Sequence, residues 1–185
     1  MNLSRAAVLA AALVLGACSG APSAPTPGSL PGPVPDGVSF REPPASAPPA
    51  PAFSLELLDG RMLDLAEQWR QRPVVLVFFE TWCTRCREQQ VAINEVVADY
   101  RDIVLFVGVA SGSAPADVAQ YVAEHRLGYP VGTDPSGRAA LRYAVAEPPL
   151  VALISKDGRL LRGWSAGIAG TELREQLDQL AVETR

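Results

Sequence analysis

Histidine occurs once, at His125, lysine once, at Lys156, and cysteine three times in a chain of 185 residues. A closed structural zinc site needs about four Cys or His ligands, and with Cys18 set aside as an N-terminal anchor candidate only Cys83, Cys86 and His125 remain. The 16 basic residues are nearly all arginine and form no run or stripe, and the net charge is -4. Both points argue against a surface that tracks a phosphate backbone, and so against nucleic-acid binding. No glycine-rich phosphate loop, no serine nucleophile constellation and no internal repeat is present. The apolar stretch over residues 6–15 falls well short of the roughly 20 residues that span a bilayer. What remains is 48% hydrophobic and 19% charged, the balance of one globular domain with some chain outside it.

Residues 1–17 join Arg5 to that short apolar run and end in small residues, the pattern of an export signal. Leu15-Gly16-Ala17-Cys18 resembles the bacterial lipobox, in which the cysteine sulfur is lipidated and becomes the mature N-terminus. A signal peptide that merely has a cysteine near its cleavage site is the alternative. Each buried methylene contributes about 0.8 kcal/mol and stable anchoring needs more than one acyl chain, which lipoproteins of that class carry. The resemblance implies a lipid anchor at Cys18 and a cell-envelope location, facing the periplasm or the extracellular side, where disulfides persist. Residues 18–51 are rich in Pro, Ala, Gly and Ser, and are expected to form a disordered linker. At about 3.1 Å per residue when extended, it would hold the domain several nanometres from a bilayer. The globular domain is expected over residues 52–185.

Within that domain, residues 53–57 alternate as a half-buried strand, and Asp59-Gly60 supplies a turn. Residues 74–79, VVLVFF, read as a central strand buried on both faces, and residues 103–109 as a second. Between them residues 83–100 form a helix, with Val91, Val96 and Val97 as its apolar positions, so the three make a βαβ unit. A helix follows from Ala114-Pro115 through Leu127, then a shorter one after Asp134 through Ala140, Leu141 and Tyr143. Residues 150–154 and 159–162 flank Asp157-Gly158, a hairpin signal. Gly170-Thr171 opens a last helix with Leu173, Leu177 and Leu180 on one face and Thr171 as its N-cap. The order implies a mixed central sheet with helices on both faces, an α/β class.

Cys83-Thr84-Arg85-Cys86 carries the chemistry. With only His125 beside the pair, a zinc clip lacks ligands. A staple across two residues closes too small a loop to restrict the unfolded chain much. A redox pair needs a strand that ends where a helix begins, so that the first sulfur ionises at the positive helix end, and residues 74–83 supply that arrangement. Cys83 is then the nucleophile, by position nearer the helix end and less buried, and Cys86 resolves the mixed disulfide.

These segments together, VVLVFFETWCTRCREQQ with APAFSLELLDGR before and PPLVALISKDGRLLRGWSAG after, resemble the TlpA/ResA-type branch of the thioredoxin family. The resemblance runs from residue 52 to the end of the chain. It implies a thioredoxin-like fold with an N-terminal strand extension and a central helix insertion, and a thiol-disulfide oxidoreductase that needs no bound cofactor. Partners would be protein thiols and disulfides, with electrons from a membrane thiol carrier and apocytochrome c cysteines as a frequent substrate. Pro149 falls at the family's cis-proline position, beside the active site, and Trp82 matches its active-site aromatic, which could equally just pack over the sheet end.

Three positions depart from the family pattern: Arg85 in place of proline, Gln89 in place of a proton-transferring glutamate, and Glu80 in place of a small residue. Arg85 either stabilises the Cys83 thiolate or is a plain exposed cation. Glu80 either takes over as proton acceptor when Cys86 attacks, or pairs with Arg85 or Arg87. His125 reads as a polar-face residue, and Asp64, Glu67, Asp117 and Glu124 as solvated or capping charges. Two other functions fit less well. A thiol peroxidase of the peroxiredoxin branch has threonine three residues before its reactive cysteine, whereas Thr81 is two before Cys83. A thioredoxin-like copper-binding assembly factor separates its cysteines by three residues and adds a histidine from a later loop.

Overall fold

The computed structural model describes residues 28–184. In chain order the elements are β1 (Ser39–Phe40), β2 (Ser54–Leu57), β3 (Met62–Asp64), α1 (Leu65–Trp69), β4 (Val74–Phe79), α2 (Thr84–Tyr100), β5 (Leu105–Ala110), α3 (Pro115–His125), β6 (Val131–Thr133), α4 (Arg138–Arg142), β7 (Leu150–Ile154), β8 (Leu160–Ser165), α5 (Gly170–Leu180) and β9 (Val182–Thr184). Seven strands form one mixed sheet in the order β3-β2-β6-β5-β4-β7-β8, and β1 and β9 form a separate pair. This is a thioredoxin-like fold, a mixed sheet with helices on both sides.

The uninterrupted apolar run of β4 reflects its place in the sheet. It pairs in parallel with β5 and antiparallel with β7, and no residue in it is more than 1% exposed. Side chains alternate between faces, so Val75, Val77 and Phe79 pack with residues of α2, α3 and α5, while Val74, Leu76 and Phe78 pack with Leu65, Trp69, Ala139 and Tyr143. The β7–β8 hairpin turns through Asp157 and Gly158, both in the left-handed region at φ 76° and 80°. The loop is three residues long, residues 156–158, since Ser155 N–H donates to Arg159 O at 2.8 Å and Gly158 N–H to Ser155 O at 3.1 Å, and a glycine in the left-handed region commonly closes such a loop.

Several expectations shift. The buried face of α2 is Cys86, Gln90, Ile93, Val96, Val97 and Tyr100, whereas Val91 is 69% exposed. Leu141 is also exposed, since α4 is only five residues long and buries Ala139. Thr171 does not cap α5: the N-cap is Ala169, with no side-chain bond. The helix after Asp134 starts at Arg138, and the Asp134 carboxylate accepts the N–H groups of Arg138, Ala139 and Ala140.

The spacer expected over residues 18–51 lies, from Gly28 onward, against the domain. Leu30, Val38 and Phe40 pack on the core, and Ala50 is buried. The Arg41 N–H donates to Ala181 O at 3.0 Å, Ala50 N–H to Gly158 O at 2.9 Å, and Leu160 N–H to Pro48 O at 2.9 Å. The few large apolar residues of this arm fall where the core leaves surface to cover, and that offsets its ordering entropy. The export signal, Cys18 and residues 19–27 lie outside the described residues. Among the described residues no helix is long and apolar enough to cross a membrane.

Arg72 joins arm to domain. It is 3% exposed, and its guanidinium donates to Asp102 O at 2.9 Å and to Gly32 O. Burial lowers its pKa and the charge of Asp102 partly restores it. Arg72→Met deletes two charge-assisted hydrogen bonds, to the carbonyls of Gly32 and Asp102, so stability should fall by about 1–3 kcal/mol. In urea unfolding the midpoint should drop at unchanged slope.

Candidate active site around Cys83 and Cys86

β4 ends at Phe79, residues 80–82 form a turn, and Cys83 is the N-cap of α2 with extended backbone, φ -77° and ψ 106°. A sulfur takes the place that a Ser or Asp oxygen usually fills: Cys83 Sγ accepts the Cys86 N–H at 3.0 Å. The two cysteines are joined by a disulfide, with an S–S distance of 2.08 Å and Cα atoms 5.3 Å apart. Cys83 is 5% exposed and Cys86 1%, so Cys83 is the more accessible. A Cys83 thiolate would sit at the positive end of a 17-residue helix whose first turn contains no acidic residue.

Two arginines occupy that first turn. Arg87 is tied down, with Nη1 donating to Thr81 O and Nη2 to Thr84 Oγ1, each at 3.0 Å. Arg85 is exposed and makes no hydrogen bond or ion pair among the described residues. Trp82 is 66% exposed and, with Phe78, Glu80, Gly112 and Pro148, lines an apolar hollow next to the cysteines.

Glu80 pairs with neither Arg85 nor Arg87. It is 6% exposed, and its Oε1 accepts the N–H groups of Ser111 at 2.8 Å and Gly112 at 2.6 Å. Its Oε2 accepts the Ser113 hydroxyl at 2.6 Å. Ser113 Oγ also accepts the Thr81 N–H at 3.0 Å and lies 3.1 Å from Thr81 Oγ1. Ser111, Gly112 and Ser113 were not singled out in the sequence. Their only signal is a Ser-Gly-Ser run after a buried strand, and nothing in one sequence links that run to Glu80.

The Pro148–Pro149 peptide bond is cis, and Pro149, buried, immediately precedes β7. A Cβ added to Gly167, whose φ is +85°, would run into Gln89 Oε1 and lie 3.1 Å from Pro149 Cγ. Gln89 Nε2 is buried without a hydrogen-bond partner among the described residues. Gln90, one residue on, is buried and bonded on both sides, accepting from Tyr129 Oη at 3.1 Å and donating to Asn94 Oδ1 at 3.0 Å. Burial pushes the Tyr129 phenol well above its usual pKa, so it remains a donor.

The remaining candidates lie apart from the cysteines in role. His125 ends α3 with its ring 4.4 Å from that of Tyr121, and Asp64 caps α1 by accepting from Ala66 and Glu67. Asp117 sits in the first turn of α3, and Glu124 accepts from Gln120. Among the described residues no group of three or more His, Cys, Asp or Glu could hold a metal ion.

A family model for the AhpC/TSA family matches residues 47–163, more than half of the chain. The thiol-disulfide oxidoreductase ResA of Bacillus thuringiensis subsp. konkukian is 28% identical over 131 residues, covering 70% of this chain and 73% of its own. Among solved structures, a secreted Mycobacterium tuberculosis disulfide oxidoreductase homologous to E. coli DsbE matches with a TM-score of 0.63 at 25% identity, over 69% of this chain and 96% of that one. A putative thiol:disulfide interchange protein DsbE from Chlorobium tepidum matches with a TM-score of 0.65 at 25% identity, over 71% and 94%.

Gly167→Ala forces a side chain into left-handed backbone and should cost about 1–3 kcal/mol. The added methyl also displaces Gln89. In a double-mutant cycle by urea unfolding, Gln89→Ala should therefore recover the clash but not the backbone strain.

Proposed function

The chain belongs to the AhpC/TSA family and is a thiol-disulfide oxidoreductase of thioredoxin-like fold, and on that premise we propose that Cys83 and Cys86 are its redox centre and that it reduces protein disulfides outside the cytoplasm. The observation that carries this reading is Cys83 as N-cap of α2, its sulfur receiving the Cys86 N–H at the positive helix end.

In the reduced protein the Cys83 thiolate attacks one sulfur of a substrate disulfide. A Cys83–substrate S–S bond forms, the substrate's own S–S bond breaks, and the released thiolate takes up a proton. Cys86, deprotonated, then attacks Cys83 Sγ, expels the second substrate thiolate, and leaves the Cys83–Cys86 disulfide. Two electrons pass from the cysteine pair to the substrate, and no bound cofactor enters the balance. To act again the pair must receive two electrons from a dithiol, and a membrane thiol carrier is the proposed donor. Apocytochrome c cysteines are the proposed substrate class, which would place the protein in cytochrome c maturation. Its proposed location is the cell envelope, with Cys18 as lipid anchor. Trp82 and Pro149 are proposed to form the rim against which the substrate chain rests, a role supported by the exposure of the Trp82 ring and by the position of Pro149 before β7.

Arg85 is proposed to favour the Cys83 thiolate, as an exposed cation in the first turn of α2, two residues after Cys83. Stabilising the thiolate stabilises the reduced form and raises the potential, by roughly 30 mV for each unit of pKa. Arg85→Gln should therefore raise the Cys83 pKa and make the pair more reducing by up to about 30 mV. Thiolate absorbance against pH, together with equilibration in glutathione, measures both; an unchanged potential would leave Arg85 as surface charge.

Cys86→Ala should trap a mixed disulfide on Cys83 when expressed in its own cell envelope, and Cys83→Ala should trap none. The proteins recovered by reduction and mass spectrometry identify the substrate. If no partner is trapped and the dithiol is inert in exchange assays, the reading fails.

A further inference from the structure

The loop that follows β5 forms a small anion cradle: two successive backbone N–H groups, from Ser111 and Gly112, and the Ser113 hydroxyl all point at one spot. Cradles of consecutive N–H groups bind anions. Here the occupant is part of the chain. We infer that Glu80 is a positioning residue whose carboxylate fills this cradle and thereby holds the Thr81–Trp82–Cys83 turn in its reactive shape. The inference rests on the oxidoreductase reading and adds to it.

Counting hydrogens fixes the direction of the network. An ionised carboxylate only accepts, so the single Ser113 hydroxyl proton is committed to Glu80 Oε2. Ser113 Oγ then has two lone pairs left. One receives the Thr81 N–H at 3.0 Å, and the other receives the Thr81 hydroxyl proton at 3.1 Å. The Ser113 oxygen is thereby saturated, and Thr81 is held by both its N–H and its side chain. On its other side Thr81 O accepts from Arg87, and Glu80 O accepts the Cys83 N–H at 3.1 Å. The two residues before Trp82 are therefore pinned from β5 and from α2 at once.

That arrangement leaves Glu80 poorly placed to carry protons. A proton on Oε2 would enter only if the Ser113 hydroxyl turned its own proton to Thr81 Oγ1 and the Thr81 hydroxyl turned away, and Oε1 is covered by two N–H groups, so protonation would reverse the side-chain bonds that hold Thr81. The carboxylate acts as a fixed plug, and its effect on disulfide exchange is through the geometry of Cys83.

Glu80→Ala deletes one methylene and the carboxylate, which together have the shape of acetate. The probe reaction is exchange between the reduced protein and a small aromatic disulfide. Glu80→Ala should slow it roughly tenfold or more, since small misplacements of a reacting group are costly. Acetate should restore much of the rate, whereas chloride at equal ionic strength should not. Glu80→Gln should show a smaller fall, and its pH–rate profile should keep the wild-type shape. Should Glu80→Ala fail to fold, Ser113→Ala, which keeps Glu80 and both backbone donors, should still slow exchange, with no rescue by acetate. Loss of one limb of the pH profile in Glu80→Gln, wild-type rates in Glu80→Ala without acetate, or wild-type rates in Ser113→Ala would overturn the inference. An inert wild-type protein would instead overturn the oxidoreductase reading.

Discussion

Strand β4 is hydrogen-bonded along its length to β5 on one side and β7 on the other, and both of its faces are covered by helices and loops. It cannot shift by a residue without turning its whole side-chain set to the wrong face. Everything chemical is attached to its last residue. Phe79 is stacked on Tyr121 at 4.9 Å, and four residues later the chain has become the N-cap of α2. The disulfide therefore inherits its position from the most constrained strand of the sheet. The partners of β4 bring the other parts to the same end: β5 delivers the Ser111–Ser113 loop, and β7 begins beside Pro149.

At that end the chain gives up local stability for reactivity. A helix start ordinarily gains from an oxygen cap and acidic residues in the first turn. Here the cap is a sulfur, and the first-turn charges are Arg85 and Arg87, of the sign that the helix dipole disfavours. Arg87 is compensated by the oxygens of Thr81 and Thr84, and Arg85 is not. A thiolate at Cys83 would meet both the dipole and an uncompensated cation, so the features that weaken the helix terminus are the ones proposed to favour the reduced form. Glu80, buried nearby, forms no ion pair with either arginine, since its hydrogen bonds go to the β5 loop.

The sequence made the central strands legible because burial on both faces leaves no polar position, and it made the cysteine turn legible because a strand, a Trp-Cys-x-x-Cys run and a helix follow without a gap. Strands β1, β3, β6 and β9 were not legible: each is two or three residues long and owes its existence to a partner strand rather than to its own periodicity. The face of α2 was misjudged at Val91 because its true stripe, Cys86-Gln90-Ile93-Val97-Tyr100, contains a buried glutamine that Tyr129 and Asn94 satisfy. The environment of Glu80 was hidden for a related reason. Its partners are backbone N–H groups, which every loop possesses, and only the adjacency of β4 and β5 brings these two to its carboxylate.

The N-terminal arm changes what a proline-rich composition means in this chain. Low apolar content suggested a free spacer, yet Arg72 holds Gly32 at the start of β4, and Ser29 to Gly32 lie beside Val104 and Leu105 at the start of β5. Both are the ends of the parallel strands opposite the cysteines, which follow the last residue of β4. Ser29 to Gly32 therefore lie against the side of the domain away from the disulfide. An arm of Ser and Gly alone would lack Leu30, Val38 and Phe40, the groups that hold it on the core, and would behave as a flexible coil instead.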